Sequence, residues 1–296
     1  MITVFTPTYN RSETLPLLYN SLISQSFQGF EWLIVDDGST DATEMLVHNW
    51  IEEKKILIRY YKQKNGGKHR AINKGVDLAH KELFFIVDSD DFLPSSSLEI
   101  IVEKSKMLDD KIIGLAGRRQ YFNREIVGSC FPKKEFVSDS VERIYLYSIK
   151  GDLAEVYKTA ILRKYKFPDF KGELFCAEGL IWNRIAAEYK LLFFDTPIYF
   201  CEYIEGGLSA NSIKNRRKSP TYAMQLYSEL VQDKRIPLWL KMRTYINFWR
   251  FSFFSSLPFI EKWKKIDRNF IGLLMYPIGW ILKLKDDRVS VVKINK

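Results

Sequence analysis

Short apolar runs that end in polar or acidic residues recur along the first part of the chain. They are residues 2–6, 31–35, 56–61 and 83–87. Each run is too short for a helix and rich in β-branched and aromatic residues, which is typical of buried strands. Between the runs, apolar residues recur at helical spacing, as at Leu15, Leu18 and Leu22. This alternation predicts an α/β fold with a mostly parallel sheet covered by helices on both faces.

Polar segments directly follow three of these strands. They are Pro7-Thr8-Tyr9, Asp36-Asp37-Gly38-Ser39 and Asp88-Ser89-Asp90-Asp91. The carboxyl ends of parallel strands meet at one edge of a sheet, and ligands bind at that edge. A fourth segment, Asn65-Gly66-Gly67-Lys68, opens the helix that leads into the last of these strands. The sequence therefore predicts one polar site built from four segments.

The spacing of Asp88 and Asp90 is typical of a metal and nucleotide site. Carboxylates this close repel one another unless a cation lies between them, and hard oxygen ligands suit Mg²⁺ or Mn²⁺ bridging to phosphates. The alternative is a solvated acidic turn in which Asp90 or Asp91 caps the next helix. The glycine-rich motifs of dinucleotide-binding folds and of P-loop NTPases are both missing from the sequence, which argues against those two classes.

The four segments, in this order and spacing, resemble the glycosyltransferase family 2 domain. The motifs that carry the resemblance are Pro7-Thr8-Tyr9-Asn10-Arg11, Val35-Asp36-Asp37-Gly38-Ser39-Thr40-Asp41, Asn65-Gly66-Gly67-Lys68 and Asp88-Ser89-Asp90-Asp91. The resemblance implies the GT-A nucleotide-sugar transferase fold, which is a Rossmann-like α/β architecture. It also implies an inverting transfer of a sugar from a nucleotide-diphosphate donor, with a family bias toward UDP.

The resemblance also implies roles for individual residues. Tyr9 and Asp37 would hold the nucleobase, with Asn65 and Lys68 at its rim and Asp88 on the ribose side. The whole donor-binding set is Pro7, Thr8, Tyr9, Asp37, Asn65, Lys68, Asp88 and Ser89. Asp90, together with Asp88, would hold the Mn²⁺ or Mg²⁺ cofactor.

A candidate catalytic base lies further along the chain. Glu178 opens a segment with helical spacing, at the place where family 2 enzymes resemble one another in a Glu-Asp pair. Gly179 stands here in place of the Asp, which leaves Glu178 as the nearest carboxylate and the predicted base. Asp91 is the second catalytic candidate, followed by Asp152. The alternative for Glu178 is a first-turn acid that the helix dipole favours.

Two rival functions stay open at this point. A glycoside hydrolase would use paired acids such as Glu173 and Glu178, but it would not need the nucleotide segments. A binding subunit would keep the fold and bind the donor without turnover, and the replacement at Gly179 is the reason to consider it.

The C-terminal region differs in pattern from the rest. From residue 218 onwards the chain has helical periodicity and many aromatic residues, and residues 234–296 contain 14 Lys and Arg against 4 Asp and Glu, net +10. Its longest uncharged stretch, residues 269–282, is shorter than the ~20 residues that span a bilayer. This combination favours helices that lie on an anionic membrane surface. The alternative is a helical hairpin packed on the catalytic domain or on a second copy.

The length and composition fit one large domain with an appendage. The chain has 296 residues, 46% of them hydrophobic, which is enough to bury a full core. We expect a GT-A domain at residues 1–217, with a nucleotide-binding part at 1–110 and an acceptor-side part at 111–217. A helical extension follows at 218–296, and residues 205–209 are predicted to be a mobile connector.

Location and partners follow from the same features. The N-terminus lacks a basic region followed by a long apolar one, and the three cysteines have neither disulfide nor metal spacing. We therefore expect a cytoplasmic protein bound peripherally to the inner face of the cell membrane. The expected acceptor is a lipid-linked saccharide, as in capsule, O-antigen or teichoic-acid assembly. No nucleic-acid-reading motif is present, and a homo-oligomer stays an open alternative.

Overall fold

The protein consists of an eight-stranded sheet with flanking helices, followed by a helical region. The computed structural model describes residues 1–202 and 210–292, so the predicted connector at 205–209 lies outside the described residues. The strands are β1 (Ile2–Thr8), β2 (Phe30–Asp36), β3 (Ile58–Lys62), β4 (Leu83–Ile86), β5 (Ile112–Gln120), β6 (Glu135–Ser138), β7 (Leu153–Lys158) and β8 (Lys190–Phe200). The helices are α1 (Leu15–Ile23), α2 (Thr43–Glu53), α3 (Lys68–Leu78), α4 (Ser97–Ser105), α5 (Ser140–Tyr145), α6 (Thr159–Leu162), α7 (Gly179–Ile185), α8 (Ser212–Lys218), α9 (Pro220–Gln232), α10 (Leu238–Ser252), α11 (Phe259–Lys265), α12 (Phe270–Leu274) and α13 (Tyr276–Val292).

The sheet is parallel in its first half and mixed in its second. The strand order is β3-β2-β1-β4-β7-β5-β8-β6. The first four strands in this order run parallel, as their alternation with helices predicts. Beyond them, β7 is antiparallel to both β4 and β5, β8 is parallel to β5, and β6 is antiparallel to β8. The predicted α/β class, with helices on both sides of the sheet, is confirmed, but the parallel pattern holds for only half of it.

The later strands follow the sequence pattern less closely than the early ones. Further apolar runs at 112–115 and 155–157 also predict short strands, and they lie in β5 and β7. The sequence predicts two more strands, at 191–195 and 198–203, but the structure has one continuous strand, β8, over residues 190–200. β6 was missed because only one of its four residues is buried, which leaves little apolar signal.

Aromatic packing fixes the helices on the sheet. The Tyr19 ring stacks on Trp50 with centroids 4.2 Å apart and on Trp32 at 6.1 Å, which joins α1, α2 and β2. On α3, a Cβ placed at Gly75 would come within 2.1 Å of the Phe5 ring. Only glycine therefore lets α3 lie this close to β1, and this contact fixes where the first turn of α3 stands relative to the sheet.

The chain forms two compact units. The first comprises Met1–Phe167 and Arg184–Ile204, and it contains the whole sheet. The second comprises Pro168–Asn183 and Glu205–Lys296. The domain boundary predicted between residues 217 and 218 stays a prediction.

The second unit has its own aromatic core. Trp249 is buried and its indole N–H donates to the carbonyl of Gly272 at 2.7 Å. A Cβ at Gly279 would lie 2.6 Å from that of Trp249, so α13 packs closely against α10. Arg250 of α10 donates through Nε to the Asp286 carboxylate of α13 at 2.7 Å. None of the described helices is both long and apolar enough to cross a membrane.

Candidate functional site

The polar segments predicted from the sequence meet at one edge of the sheet in the first unit. β1 pairs with β2 up to Thr8 and Asp36, and the Asp37 N–H then donates to the Thr8 carbonyl at 2.8 Å. On the other side of β1, the Val87 N–H donates to the carbonyl of Phe5 at 2.9 Å. The segments after β1, β2 and β4 therefore lie side by side, as the parallel arrangement predicts.

Asp37 holds the glycine pair. Its side chain is only 5% exposed, and its carboxylate accepts hydrogen bonds from the Gly66 N–H at 2.9 Å and the Gly67 N–H at 2.7 Å. The Gln63 amide donates a third bond at 2.7 Å. Gly67 has φ of 94°, which favours glycine at this position. Asp37 thus builds the loop that carries Asn65 and Lys68, and its predicted contact with the nucleobase stays a prediction.

The loop after β1 is tied to the loop after β2. The Asn10 N–H donates to the Ser39 hydroxyl at 2.8 Å, and the Asn10 side chain accepts from the Thr40 N–H at 2.8 Å. Asp41 accepts from the Ser12 N–H at 3.0 Å. Burial acts to raise the pKa of Asp41, but its hydrogen bonds outweigh burial and lower the pKa to about 2. Asp41 is therefore a carboxylate at neutral pH, and these three hydrogen bonds join the two loops.

The remaining predicted donor-binding residues differ in exposure. Tyr9 is 47% exposed, so its ring is available to stack on a base, and Asn65 is also exposed. Pro7, Thr8 and Ser89 are buried. The Thr8 hydroxyl has no hydrogen-bond partner within the described part of the chain.

Cations face the carboxylates of the turn formed by residues 88–91. The Asp88 carboxylate lies 2.5 Å from the Lys68 ammonium, and the Asp90 carboxylate lies 3.5 Å from the Arg11 guanidinium. Burial acts to raise the pKa of Asp88, but the charges of Lys68 and Arg119 lower it overall. Asp88 is therefore held as a carboxylate, and each acid of the predicted metal pair has a cation beside it.

Asp91 is in a different environment from its two neighbours. It is 5% exposed and accepts a hydrogen bond from the Tyr199 hydroxyl at 2.8 Å, with the Arg119 guanidinium 3.9 Å away. Burial, and then the charge of Asp88, raises the pKa of Asp91 to about 7. Burial also raises the pKa of Tyr199, so its hydroxyl keeps the proton that it donates. These contacts favour a positioning role for Asp91 over the catalytic role predicted from the sequence.

The carboxylates suit a cation that shares its ligands with a phosphate. No group of three or more His, Cys, Asp or Glu side chains forms a metal site within residues 1–202 and 210–292. Asp88 and Asp90 nevertheless offer two hard oxygen donors near a lysine that can bind phosphate. Mg²⁺ and Mn²⁺ prefer such sites, in which one or two carboxylates are completed by water and substrate phosphates. The residues present fit a metal that binds together with a diphosphate.

The predicted base belongs to the second unit. The Glu178 carbonyl accepts from the N–H groups of Ile181 at 2.9 Å and Trp182 at 3.2 Å, so Glu178 directly precedes α7. A Cβ at Gly179 would have no atom within 4 Å. The side chain at this position therefore has open space, and the structure tolerates an acid there. The role of Glu178 stays a prediction.

Glu173, the partner acid of the hydrolase alternative, caps a helix. Its carboxylate accepts from the N–H groups of Thr221 at 2.9 Å and Tyr222 at 3.1 Å, the second and third residues of α9. These N–H groups have no partner within the helix, and a carboxylate is well suited to satisfy them. This contact gives Glu173 a structural role and weakens the case for a hydrolase.

Three residues that contact the turn at residues 88–91 were not assigned these contacts from the sequence. Arg11 belongs to a motif that was recognised, but no partner for it was predicted. Arg119 lies in a strand that is otherwise largely buried, and a charged residue in such a strand is a signal that can be read. Tyr199 lies within an apolar run and carries no signal in the sequence.

Comparison with known proteins gives the family. Residues 3–142 match the family model described as glycosyl transferase family 2. This part of the chain is a glycosyltransferase family 2 domain. The match covers all four polar segments of the site, so the resemblance read from the motifs is confirmed.

Two relatives of known description come from bacteria. The chain is 27% identical over 194 residues to the GalNAc(5)-diNAcBac-PP-undecaprenol beta-1,3-glucosyltransferase of Campylobacter jejuni, covering 63% of this chain and 60% of the relative. It is 28% identical over 195 residues to the poly(ribitol-phosphate) beta-N-acetylglucosaminyltransferase TarP of Staphylococcus aureus, covering 62% of this chain and 58% of the relative. The aligned part therefore spans less than two thirds of either relative.

Solved structures confirm the fold. S. aureus TarS 1–349 in complex with UDP-GlcNAc is similar with a TM-score of 0.57 at 20% identity, over 94% of this chain and 79% of that one. The mannosyltransferase PcManGT from Pyrobaculum calidifontis, in complex with GDP-Man and Mn²⁺, gives a TM-score of 0.57 at 17% identity, over 96% and 87%. At these identities the likeness shows the GT-A-like fold and leaves donor and metal of this family 2 domain to be inferred from its own residues.

Replacement of Asp37 by Asn should loosen the glycine loop. The new side-chain amide would keep one acceptor oxygen, but its N–H₂ group would replace the oxygen that accepts from either Gly66 or Gly67. Hydrogen bonds to charged groups contribute ~1.5–3 kcal/mol each, and 1.4 kcal/mol corresponds to about tenfold in an equilibrium. We expect hydrogen-exchange protection of the Gly66 and Gly67 amides to fall by about tenfold or more in Asp37→Asn.

The matched control for this change is Asp41→Asn. Asp41 also accepts a backbone hydrogen bond, from the Ser12 N–H, but it does not contact the glycine pair. We expect Asp41→Asn to deprotect the Ser12 amide and to leave Gly66 and Gly67 as in the wild type. Equal protection of Gly66 and Gly67 in wild type and Asp37→Asn would show that another contact holds the loop.

Proposed function

We propose that the protein is an inverting glycosyltransferase that moves a sugar from a UDP-sugar to a hydroxyl of a saccharide acceptor. The observation that carries the proposal is that two loops lie together at one edge of the sheet in a family 2 domain. One is the glycine loop held by Asp37, and the other is the acidic turn at residues 88–91. The UDP-GlcNAc complex of the structural relative supports a UDP-sugar as donor.

The loops around this edge are suited to the two ends of a nucleoside diphosphate. The exposed Tyr9 ring offers a stacking surface for the base, and exposed Asn65 offers amide donors and acceptors beside it. Lys68 is the first residue of α3, where a helix N-terminus and an ammonium group both favour phosphate. The Lys68 ammonium is already oriented by Asp88, so the donor's charge would meet a fixed cation.

The acidic turn is suited to hold a divalent cation against the diphosphate. Asp88 and Asp90 are the proposed ligands, and Mn²⁺ or Mg²⁺ bound there would supply Lewis-acid neutralisation of the leaving diphosphate. The complex of the structural relative from Pyrobaculum calidifontis with Mn²⁺ supports the choice of metal. Arg11 and Lys68 hold these two carboxylates in place at the edge of the site.

Glu178 is the proposed base that accepts the proton of the acceptor hydroxyl. Family 2 enzymes share an acidic pair at this place, and Glu178 is its surviving member here. A general base must be ionised and must come within about 3 Å of the proton that it removes. The acceptor proposed is a lipid-linked saccharide of cell-surface polysaccharide assembly, in line with the undecaprenol-linked substrate in the name of the Campylobacter relative.

A donor-binding subunit without turnover is the second candidate function. The observation that favours it is Gly179, since the second acid of the family pair is missing. Such a subunit would bind UDP-sugar with metal and would transfer nothing. Measured transfer to any acceptor, abolished by a substitution in the site, rules it out.

The experiment that tests donor binding is a thermal-shift titration with UDP. We expect UDP to raise the stability of the protein far more with Mn²⁺ or Mg²⁺ than with EDTA. A ligand that binds only the folded state stabilises it by about 2.7 kcal/mol at a hundredfold excess over Kd. Asp90→Ala should abolish the difference between metal and EDTA, because it removes one of only two proposed protein ligands.

Asp77→Ala is the matched control for the metal experiment. Asp77 is an exposed aspartate at the far end of α3 that pairs with Lys166 at 2.6 Å, so its removal changes the same charge away from the site. It should retain the full metal response. A metal response in Asp90→Ala as large as in the wild type would contradict the proposed metal site.

Substitution of Glu178 by Gln should separate transfer from donor binding. Gln preserves the shape of the side chain but cannot accept the proton at neutral pH. We expect UDP-sugar affinity to stay within about twofold and transfer to fall by roughly 10²–10⁴, the usual contribution of a positioned base. Steady-state transfer assays with a UDP-sugar and a lipid-linked acceptor measure both quantities.

Gly179→Asp is the complementary variant. It restores the acid of the family pair, and the open space at this position means that Asp fits without displacing a neighbour. We expect it to recover part of the transfer lost in Glu178→Gln. Transfer by Glu178→Gln at the wild-type rate would place the base elsewhere in the chain.

We also propose that the second unit binds an anionic membrane surface. Phe270, Leu274, Ile278, Ile281 and Leu284 are all exposed, and they recur at helical spacing along α12 and α13. Trp239, at the start of α10, is 71% exposed. The net charge of +10 over residues 234–296 complements anionic lipid headgroups. Exposed apolar side chains with basic residues around them are what a helix at a membrane interface needs.

Sedimentation with liposomes tests this surface in the full chain. Phe270 and Ile281 are each more than half exposed, so replacing both by Ser should leave the core of the second unit intact. Burying a large apolar side chain is favourable by ~1.5–3 kcal/mol, so losing two should lower partition into phosphatidylglycerol vesicles by about tenfold or more. High salt should weaken binding further by screening the basic residues.

The control carries two similar substitutions in the first unit. Met45 and Leu57 are also more than half exposed, and Met45→Ser with Leu57→Ser should leave the partition unchanged. Equal partition of both double variants would remove α12 and α13 from the membrane proposal. A lower mass of the Phe270 and Ile281 variant in light scattering would instead identify this surface as a contact between two copies.

A further inference from the structure

The Tyr199 hydroxyl joins the two ends of the acidic turn. Tyr199 is completely buried, and its oxygen accepts a hydrogen bond from the backbone N–H of Asp88 at 2.9 Å. The same hydroxyl donates to the Asp91 carboxylate at 2.8 Å. One side-chain atom on β8 therefore holds the first and the last acid of the turn at a fixed separation.

Arg119 fixes Tyr199 from behind. The two residues are register partners on neighbouring strands β5 and β8, and the guanidinium lies 4.1 Å from the centre of the Tyr199 ring. Arg119 also donates through Nε to the Leu153 carbonyl at 3.0 Å and lies 3.9 Å from the Asp91 carboxylate. The stacking, the hydrogen bond and the ion pair leave the tyrosine ring one orientation.

Backbone contacts hold the same turn from both sides. The Phe92 and Phe200 backbones exchange two hydrogen bonds, at 3.2 and 2.8 Å, immediately after the turn and immediately after Tyr199. The Thr14 hydroxyl donates to the Ser89 carbonyl at 3.0 Å. These bonds place the turn, but none of them fixes the direction of the Asp88 N–H. The Tyr199 hydroxyl does so directly.

We propose that Tyr199, oriented by Arg119, is a positioning residue that sets the Asp88–Asp91 turn for binding of a divalent cation together with the donor diphosphate. The inference rests on the proposed function, since the turn acts on a metal only if Asp88 and Asp90 bind one. Residues behind a metal's direct ligands orient those ligands, and their loss costs 10–100-fold in metal affinity. Tyr199 acts through the turn, and this role does not require it to contact the donor.

The test is calorimetric titration of the 296-residue protein with UDP, in Mn²⁺ and in EDTA. Tyr199→Phe keeps the ring over Arg119 but removes the hydroxyl that bonds to Asp88 and Asp91. We expect its UDP affinity in EDTA to stay within about twofold of the wild type. The gain in affinity that Mn²⁺ gives should shrink by about 10–100-fold. Binding of Mn²⁺ itself, followed by its electron paramagnetic resonance signal in the presence of UDP, should weaken in parallel.

Tyr19→Phe is the matched control. Tyr19 is also buried, and its hydroxyl donates to the Glu53 carboxylate at 2.8 Å, in the contact between α1 and α2. Its loss removes a tyrosine hydroxyl bond of the same kind without touching the acidic turn. We expect Tyr19→Phe to lower thermal stability and to keep the full Mn²⁺ gain. If Tyr199 had a purely structural role, Tyr199→Phe would behave in the same way.

A second variant keeps the test decisive if Tyr199→Phe fails to fold. Arg119→Lys retains the positive charge but loses the planar stack on Tyr199, and it should reduce the Mn²⁺ gain while leaving UDP affinity in EDTA unchanged. A Mn²⁺ gain within twofold of the wild type in a folded variant at Tyr199 or Arg119 overturns the inference. The absence of any Mn²⁺ gain in the wild type overturns the proposed metal site, and the inference with it.

Discussion

Repulsion among the three carboxylates after β4 is the constraint on which the candidate site depends. Asp88, Asp90 and Asp91 lie within one turn, and like charges this close are unfavourable unless cations face them. Lys68, Arg11 and Arg119 supply those cations, one for each acid. Because the cations come from α3, from the loop after β1 and from β5, the acids of the turn face all three cations only when these elements are folded against it.

The direction of the strands explains how residues so far apart in sequence reach one edge. β4 is antiparallel to β7, and β7 is antiparallel to β5, so β5 and its parallel neighbour β8 run in the same direction as β4. Two reversals restore the original direction. Arg119 and Tyr199, at the carboxyl ends of β5 and β8, therefore lie at the same edge as the polar segments after β1, β2 and β4. The mixed half of the sheet thus contributes Arg119 and Tyr199 to the same edge.

Local patterns predicted the first half of the fold and most of the site. Apolar runs that end in polar segments are signals carried by neighbouring residues, so the four parallel strands and their common edge could be read directly. The side chains that contact those segments could not be predicted in this way. Tyr199 lies in an apolar run, and its hydroxyl has a role only because the end of β8 lies beside the turn that follows β4. Asp37 was recognised, but its bonds to Gly66 and Gly67 depend on a glycine conformation that the sequence permits without specifying.

Periodicity could not sort the large apolar residues of the second unit either, because they recur on several faces of its helices. The structure divides them: Trp249 is buried against Gly272 and Gly279, while the row on α12 and α13 stays exposed. Asp286 accepts from Arg250, and the next residue, Asp287, accepts from Arg217 at 2.7 Å. Rotation of α13 that buried the exposed row would break both ion pairs and separate the largely buried Arg250 and Asp286, which is strongly destabilising. The outward direction of the apolar row is therefore fixed by electrostatics.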